Sequence, residues 1–159
     1  MVLLKTIVFT FIVPGSVTIL VPYWLLSLRS VPPLELGLFR YFGSLPILIG
    51  AAIYFWCAWD FTFAGRGTPA PIDPPKELVV RGLYRYVRNP MYVGILLILL
   101  GEAILFASQS LFTYVVVIVV IFFLVVMIYE EPTLKHKFGE SYRRYCRDVP
   151  RWIPRGIKK

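Results

Sequence analysis

Cysteine and histidine are scarce in this chain of 159 residues, which contains two cysteines and one histidine. Cys57 lies in an apolar run and Cys146 in a basic segment, so the sequence predicts no disulfide framework. The lone histidine, His136, excludes a histidine-rich metal site, and we expect no metal ion. Acidic residues are also few, nine against 17 lysines and arginines, which leaves a net charge of +8.

Charge is absent from three long runs, residues 6–28, 41–59 and 103–129. The chain is 58% hydrophobic, with a mean hydropathy of +0.71. A helix needs roughly 20 apolar residues to cross about 30 Å of hydrocarbon. The sequence therefore predicts an all-α integral membrane protein, with residues 1–159 forming one multi-pass membrane domain. The first run is longer than the apolar core of a signal peptide and lacks an obvious small-x-small cleavage site, so we expect a retained span.

A helical hairpin is predicted in the second half of the chain. Residues 89–129 carry a single charge, Glu102, and are too long for one span but about right for two. The polar cluster at residues 108–110 divides them into nearly equal arms. Asn89 is a candidate N-cap with Pro90 at the first helical position, and Pro132 is expected to help end the second arm.

About four spans result from these patterns, at residues 6–28, 41–59, 90–107 and 111–130. Pro14, Gly15 and Pro22 are expected to kink the first of them. The hairpin formed by spans 3 and 4 would bring "RNPMYVG" and "YEEP" to the same membrane face, although they are remote in sequence.

Positive charge is concentrated in two segments outside the spans. Residues 60–88 carry five basic residues and residues 131–159 carry nine, whereas the first connection has only Arg29 and Arg40. The positive-inside rule therefore puts the 60–88 connection, the tail and both termini in the cytoplasm. The same charge predicts affinity for anionic membrane lipids. Because the basic residues border membrane spans, we expect no nucleic-acid partner.

The tail has apolar residues at helical spacing with basic residues between them. The apolar positions are Leu134, Phe138, Tyr142, Tyr145 and Val149. This pattern predicts an amphipathic cytoplasmic helix in the plane of the membrane interface. A plain membrane anchor is the alternative for the tail taken alone.

Two segments, "LVVRGLYRYVRNPMYVG" and "EEPTLKHKFGESYRRYCRDVP", carry a family resemblance. They resemble the integral-membrane methyltransferases typified by isoprenylcysteine carboxyl methyltransferase and the small phospholipid N-methyltransferases. The shared pattern is Leu-Val-x-x-Gly-x-Tyr, then Arg-His/Asn-Pro-x-Tyr-x-Gly, then a Glu-Glu pair. The resemblance covers about residues 73–150. It implies S-adenosyl-L-methionine as cofactor, bound by this region, and a lipophilic membrane-embedded methyl acceptor at the cytoplasmic face.

The matching positions give candidate site residues. Arg88 and Tyr92 are the candidate catalytic residues. The candidate cofactor-binding residues are Lys76, Glu77, Leu78, Gly82, Tyr84, Asn89, Pro90, Glu130 and Glu131. Methyl transfer from a sulfonium is an in-line displacement, so the protein mainly positions the reactants and excludes water.

Each residue type suits part of such a cofactor. Carboxylates accept hydrogen bonds from an ammonium or from hydroxyls, and Tyr84 and Tyr92 offer aromatic faces to a cation or an adenine. Arg88 suits a carboxylate or an anionic headgroup. Glu130 and Glu131 are expected at a helix C-terminus, where they would oppose the macrodipole, and this local cost favours a functional interpretation over a solvated helix end.

Two questions stay open on the sequence alone. The acceptor is a phospholipid amine, an isoprenylcysteine carboxylate or another lipophilic group. Residues 125–129 lack the arginine that the prenylcysteine enzymes carry before their paired glutamates, which makes a carboxylate no more favoured than the others. The competing function is a small non-enzymatic polytopic membrane protein, such as a transporter subunit or assembly factor. Glu102 is the feature that favours this alternative, since carboxylates within membranes often mark ion paths. The oligomeric state is not predicted.

Overall fold

The computed structural model describes residues 2–28, 33–63 and 78–154, and all regular structure in these ranges is helical. The α-helices in this part of the chain are α1 (Val2–Gly15), α2 (Val21–Leu28), α3 (Ser44–Phe63), α4 (Pro90–Leu105), α5 (Gln109–Val125) and α6 (Glu131–Asp148). The shorter elements are the π-helical turns Ser16–Leu20 and Val126–Glu130 and the 3-10 helices Gly37–Gly43 and Gly82–Arg85. The predicted all-α class is confirmed for these ranges.

Three helical stretches, Thr6–Leu28, Gly37–Phe63 and Gln109–Asp148, are long and apolar enough to cross a membrane. The shorter α4 has 16 residues, about 24 Å at ~1.5 Å per residue. Large apolar side chains such as Phe11 remain exposed on these helices. Helices that are apolar on their exposed faces belong in a bilayer, so the chain is a membrane protein.

After each π-helical turn, one residue intervenes and the next is a proline, Pro22 in the first case and Pro132 in the second. The N–H of Val21 donates to the carbonyl of Ser16, and Pro22 comes next. A proline has no N–H and its ring clashes with the carbonyl four residues earlier. The wider π-helical turn makes room for the proline ring. The first helical run therefore continues past Pro22 to Leu28.

The prediction that Pro132 helps end the fourth span is wrong. The N–H of Glu131 donates to the carbonyl of Val126 in the second π-helical turn, and the helix passes from α5 into α6. Glu130 and Glu131 therefore lie inside a continuous helix. The argument that these two carboxylates oppose a helix dipole is also wrong, because no helix terminus is present there.

Paired glycines bring α3 and α4 together. A Cβ on Gly101 would lie 2.5 Å from the carbonyl oxygen of Gly43, and a Cβ on Gly94 would lie 2.8 Å from that of Gly50. Such distances mean that the two backbones are in direct contact, which small residues allow between membrane helices. Gly94 and Gly101 are seven residues apart on α4, and so are Gly50 on α3 and Gly43, the last residue of the 3-10 helix that leads into α3.

The start of α4 and the break before α5 follow the sequence signals. Asn89 is the N-cap residue and Pro90 is at the first turn of α4. Ser108 is the N-cap of α5, and its hydroxyl accepts a hydrogen bond from the N–H of Leu111 at 3.4 Å. α4 and α5 pack against each other, and Ala107, between them, has a φ of 50°.

The predicted tail helix is present as α6. Gly139 interrupts it with φ 54° and ψ −126°, a conformation that suits glycine. The residues of the predicted apolar face pack against one another and against Leu78, which belongs to the segment before α4. The apolar face of α6 is thus partly covered by protein, which a plain anchor would not require.

Candidate active site

Arg88, Glu131 and Arg151 form an ionic cluster where α4 begins and α6 begins. The Glu131 side chain is only 6% exposed. Its Oε1 accepts hydrogen bonds from Arg88 Nη1 at 3.0 Å and from Arg151 Nε at 2.6 Å. Its Oε2 accepts from Arg151 Nη2 at 3.0 Å. Arg151 therefore holds the carboxylate through two nitrogens, the arrangement in which arginine–carboxylate pairs are strongest.

The cluster carries more positive than negative charge. Lys135 Nζ lies 3.8 Å from Glu131 Oε2, so three cations face one carboxylate. Hydrogen bonds to Glu131 raise the pKa of Arg151 further above its usual value. The Arg88 side chain is 10% exposed, and its Nε has no hydrogen-bond partner among the described residues. Glu131 is already satisfied, whereas Arg88 keeps a buried donor that suits an anionic group.

The backbone of residues 149–154, called the C-terminal strap below, lies against the start of α4. The N–H of Arg88 donates to the carbonyl of Pro150 at 2.8 Å, and the N–H of Asn89 donates to that of Arg151 at 3.2 Å. Asn89 Nδ2 donates to the same Arg151 carbonyl at 3.3 Å. The Asn89 side chain thus binds the strap instead of capping α4.

Tyr92 lies about one helical turn after Arg88 and meets Glu130, the residue directly before Glu131. The Tyr92 hydroxyl is hydrogen-bonded to Glu130 Oε1. The Tyr92 ring lies between two other aromatic rings, with centroid distances of 4.5 Å to Phe122 and 6.4 Å to Trp152. These contacts fix the position of the Tyr92 ring, and they make Trp152 a second contribution of the strap to this region.

Arg88 also contacts a cysteine of α6. Its Nη1 donates to Cys146 Sγ at 2.8 Å, in addition to its bond with Glu131. Cys146 lies beside the buried Tyr142 and Tyr145. Arg88 Nη1 is therefore held by two residues of α6.

Tyr84 is buried in the segment that leads to α4. Its ring packs against Phe61 at a centroid distance of 5.3 Å, and its backbone carbonyl accepts from the Tyr145 hydroxyl at 2.7 Å. Burial raises the pKa of Tyr84 well above its usual range, with the nearby Cys57 thiol adding to the shift, so the hydroxyl stays neutral. Tyr84 fastens this segment to both α3 and α6.

Gly82 and Asp60 hold the same segment against the end of α3. Gly82 has a φ of +54°, and a Cβ there would meet the Asp60 carboxylate and lie 3.1 Å from Trp56 Nε1. The buried Asp60 pairs with Arg81, with 3.2 Å between Oδ1 and Nε. Both the conformation and the close approach require glycine at this position.

An apolar cavity of about 260 Å³ is lined by Val87 and Trp152, the sequence neighbours of Arg88 and Arg151. It lies between α3, the start of α4 and the C-terminal strap, and its lining has no exposed polar surface. The lining residues are Ile53, Leu83, Tyr86, Val87, Pro90, Val93, Trp152 and Pro154. A cavity of this kind suits part of a hydrocarbon chain.

Six of the predicted site residues lie together in the structure. They are Arg88, Asn89, Pro90, Tyr92, Glu130 and Glu131. Leu78, Gly82 and Tyr84 lie on the adjoining segment, where their contacts are with α3 and α6. Lys76 and Glu77 fall outside the described residues.

Sequence reasoning missed Arg151 and Trp152. Neither belongs to a spaced motif. Only their position directly after the "CRDVP" stretch could have suggested them. Within the described ranges no group of three His, Cys, Asp or Glu side chains is arranged to hold a metal ion.

The fold and the site define a helical membrane protein with a partly buried cationic cluster and an apolar cavity. Residues 38–141 match the phospholipid methyltransferase family. The match covers more than half of the chain, and the chain belongs to this family of integral-membrane methyltransferases.

One curated relative is the protein-S-isoprenylcysteine O-methyltransferase of Schizosaccharomyces pombe. It is 40% identical over 80 residues, which are 48% of this chain and 33% of that protein. The chain thus spans about a third of the length of this relative. No solved structure gives a significant match.

Proposed function

We propose that the protein is an S-adenosyl-L-methionine-dependent methyltransferase that acts on a lipid or lipidated acceptor within the membrane, at its cytoplasmic face. The observation that carries this proposal is the meeting of "RNPMY" and "YEEP", where Arg88 bonds Glu131 and Tyr92 bonds Glu130. Family membership supports an enzyme over a transporter subunit or assembly factor.

The residues present fit the cofactor. Arg88 offers a buried, unpartnered Nε within the described part of the chain, which suits the cofactor's carboxylate. Glu130 and the face of Tyr92 suit its ammonium, hydroxyls or sulfonium. When bound, S-adenosyl-L-methionine would supply a methyl group already activated by the sulfonium. The other residues proposed to bind the cofactor or to shape its site are Lys76, Glu77, Leu78, Gly82, Tyr84, Asn89 and Pro90.

The two glutamates take different roles in this proposal. Glu131 is occupied by Arg88 and Arg151, so it acts by fixing the Arg88 guanidinium and not by reaching the cofactor itself. Glu130 has only its bond to Tyr92 in the described region. It is therefore the carboxylate of the pair that remains open to a ligand.

The acceptor is proposed to be lipophilic because an apolar cavity lies at the start of α4, lined by Val87, Pro90 and Trp152 among others. The names of the family and of the relative give two classes, a phospholipid amine and an isoprenylcysteine carboxylate. An amine acceptor must lose a proton when it gains a methyl group, and Glu130 Oε1 is a carboxylate oxygen already beside the Tyr92 hydroxyl. A carboxylate acceptor has no proton to lose.

Four membrane spans, with α4 and α5 as a hairpin, complete the proposal. Support comes from the contact of α4 with α5 and from the excess of basic residues in the 60–88 connection and the tail. At about 24 Å, α4 spans only if the bilayer thins or if its flanking residues extend to the interface. Both termini are then cytoplasmic.

The test is methyl transfer to a total lipid extract and, separately, to a farnesylcysteine analogue, with isotopically labelled cofactor and detection by mass spectrometry. We expect the parent protein to label one acceptor class, and we expect Arg88→Gln to form much less labelled product. Arg147→Gln is the matched control, because Arg147 is exposed and pairs only with Glu140 among the described residues. Absence of both labelled product and cofactor binding in the parent protein would overturn the proposal.

A further inference from the structure

Arg151 lies outside the segment that matches the family, which ends at residue 141. It nevertheless makes the largest share of the contacts to Glu131, one hydrogen bond to each carboxylate oxygen. Its backbone carbonyl accepts from both the N–H and the Nδ2 of Asn89. One residue of the C-terminal strap therefore touches both halves of the proposed site.

The charge of Arg151 changes what Arg88 can bind. Arg88 and Glu131 alone form a neutral pair, in which the guanidinium has its partner. Arg151 shares Oε1 of Glu131 with Arg88, so the three side chains together carry one net positive charge. Arg88 and Glu131 are 10% and 6% exposed, whereas the Arg151 side chain is 38% exposed. The excess charge therefore acts on a buried donor of Arg88, where attraction to an anion is screened less than at the surface.

The geometry of Glu131 depends on Arg151 as well. A carboxylate that is held at only one oxygen can rotate, whereas a guanidinium that spans both oxygens fixes its plane. The Nη1 bond from Arg88 to Oε1 is directed by that plane. Arg151 is thus linked to Arg88 through Glu131, which both arginines bind.

We infer that Arg151 is a positioning residue of the proposed methyltransferase site: it fixes Glu131, keeps the cluster cationic and so holds Arg88 ready for the carboxylate of the cofactor. This inference rests on the proposed function. It adds a residue that belongs neither to the Arg-Asn-Pro segment nor to the paired glutamates, and it gives the C-terminal strap a part in the site.

The experiment compares the full-length parent protein in detergent with Arg151→Gln, Arg151→Lys, Glu131→Gln and the double variant Arg151→Gln/Glu131→Gln. Arg147→Gln is again the control. S-adenosyl-L-methionine affinity is measured by calorimetry, and thermal unfolding is measured without cofactor. If Arg151→Gln misplaces Arg88 so that Arg88 loses one charge-assisted hydrogen bond to the cofactor carboxylate, affinity falls about ten- to a hundredfold. Arg151→Lys keeps the charge but cannot bond both carboxylate oxygens of Glu131 through two fixed nitrogens. We therefore expect an intermediate loss of cofactor affinity.

The double variant separates positioning through Glu131 from an independent effect. If Arg151 acts mainly through Glu131, the double variant loses less cofactor affinity than the sum of the two single losses, and the losses in melting temperature are likewise not additive. Losses that add in full, or an Arg151→Gln variant that binds as tightly as the parent, would overturn the inference. If Arg151→Gln does not fold, parent-like affinity in Arg151→Lys overturns it. A parent protein that binds no cofactor overturns the proposed function first, and the inference with it.

Discussion

Arg88 and Glu131 lie 43 positions apart in the sequence and are joined by a hydrogen bond of 3.0 Å from Nη1 to Oε1. Both side chains are nine-tenths or more buried. The bond ties the start of α4 to the start of α6, and every prediction about the proposed site depends on it.

Glu131→Gln is expected to lower the stability of the protein without cofactor. The change leaves Arg88 buried with a weaker partner, and loss of one member of a buried ion pair costs on the order of 3 kcal/mol. Thermal unfolding in detergent measures the effect. Glu140→Gln is the control, because Glu140 is exposed and pairs only with Arg143 and Arg147 among the described residues, and such surface pairs contribute at most about 1 kcal/mol. Equal melting temperatures for the two variants would contradict the prediction.

Glu130→Gln is expected to act on the cofactor more than on the fold. The change keeps the size of the side chain and an acceptor for the Tyr92 hydroxyl, but it removes the charge. Loss of one charge-assisted hydrogen bond of about 1.5–3 kcal/mol weakens S-adenosyl-L-methionine binding roughly ten- to a hundredfold. Calorimetry measures the affinity, with melting curves taken in parallel. Parent-like affinity would remove Glu130 from the proposed site.

Gly101→Ala is expected to separate α3 from α4. The new Cβ would lie 2.5 Å from the carbonyl of Gly43, and overpacking of this kind costs roughly 1–3 kcal/mol. Gly15→Ala is the matched control within a helix, because its Cβ would meet only the Thr10 carbonyl at an ordinary 3.5 Å. There alanine should be neutral or stabilising by up to about 1 kcal/mol. A smaller loss for Gly101→Ala than for Gly15→Ala, measured by thermal unfolding, would argue against the close contact of the two helices.

The proposed topology puts residues 70 and 155 on one side of the membrane and residue 108 on the other. The test uses single cysteines at these positions in a protein whose Cys57 and Cys146 are replaced by alanine. An impermeant maleimide added to one side of the membrane should label residues 70 and 155 together and leave residue 108 unlabelled, or the reverse. The basic residues of the 60–88 connection and the tail are the reason for the expectation. If residues 70 and 155 react from opposite sides, the four-span arrangement is wrong.

Local signals in the sequence predicted much of the fold. Asn89 followed by Pro90 is a typical helix-start signal, and residues 108–110 are the polar cluster that interrupts the apolar run. Both features act over a few residues, so their effect can be predicted without knowledge of the tertiary structure. The juxtaposition of the two motifs followed from arm lengths alone.

Other features depended on contacts that the sequence does not display. Pro132 does not end the helix, because a π-helical turn and the packing of α6 on Leu78 accommodate it. Glu131 was predicted to meet the cofactor, but Arg151 already occupies its carboxylate. The glycine pairs could have been noticed from their spacing of seven residues at 43 and 50 and at 94 and 101, although the spacing alone does not identify the partner helix.

The π-helical turn at Val126–Glu130 is equivalent to one extra residue stored within a helix. In a regular α-helix each residue advances the direction of the side chains by about 100°. Without the extra residue, the part of α6 before Gly139, with Leu134 and Phe138, would be rotated by about that angle relative to α5. The turn thus lets the chain face α4 along α5 and a different surface along the first part of α6 without an intervening loop, and Gly139 then redirects the rest of α6.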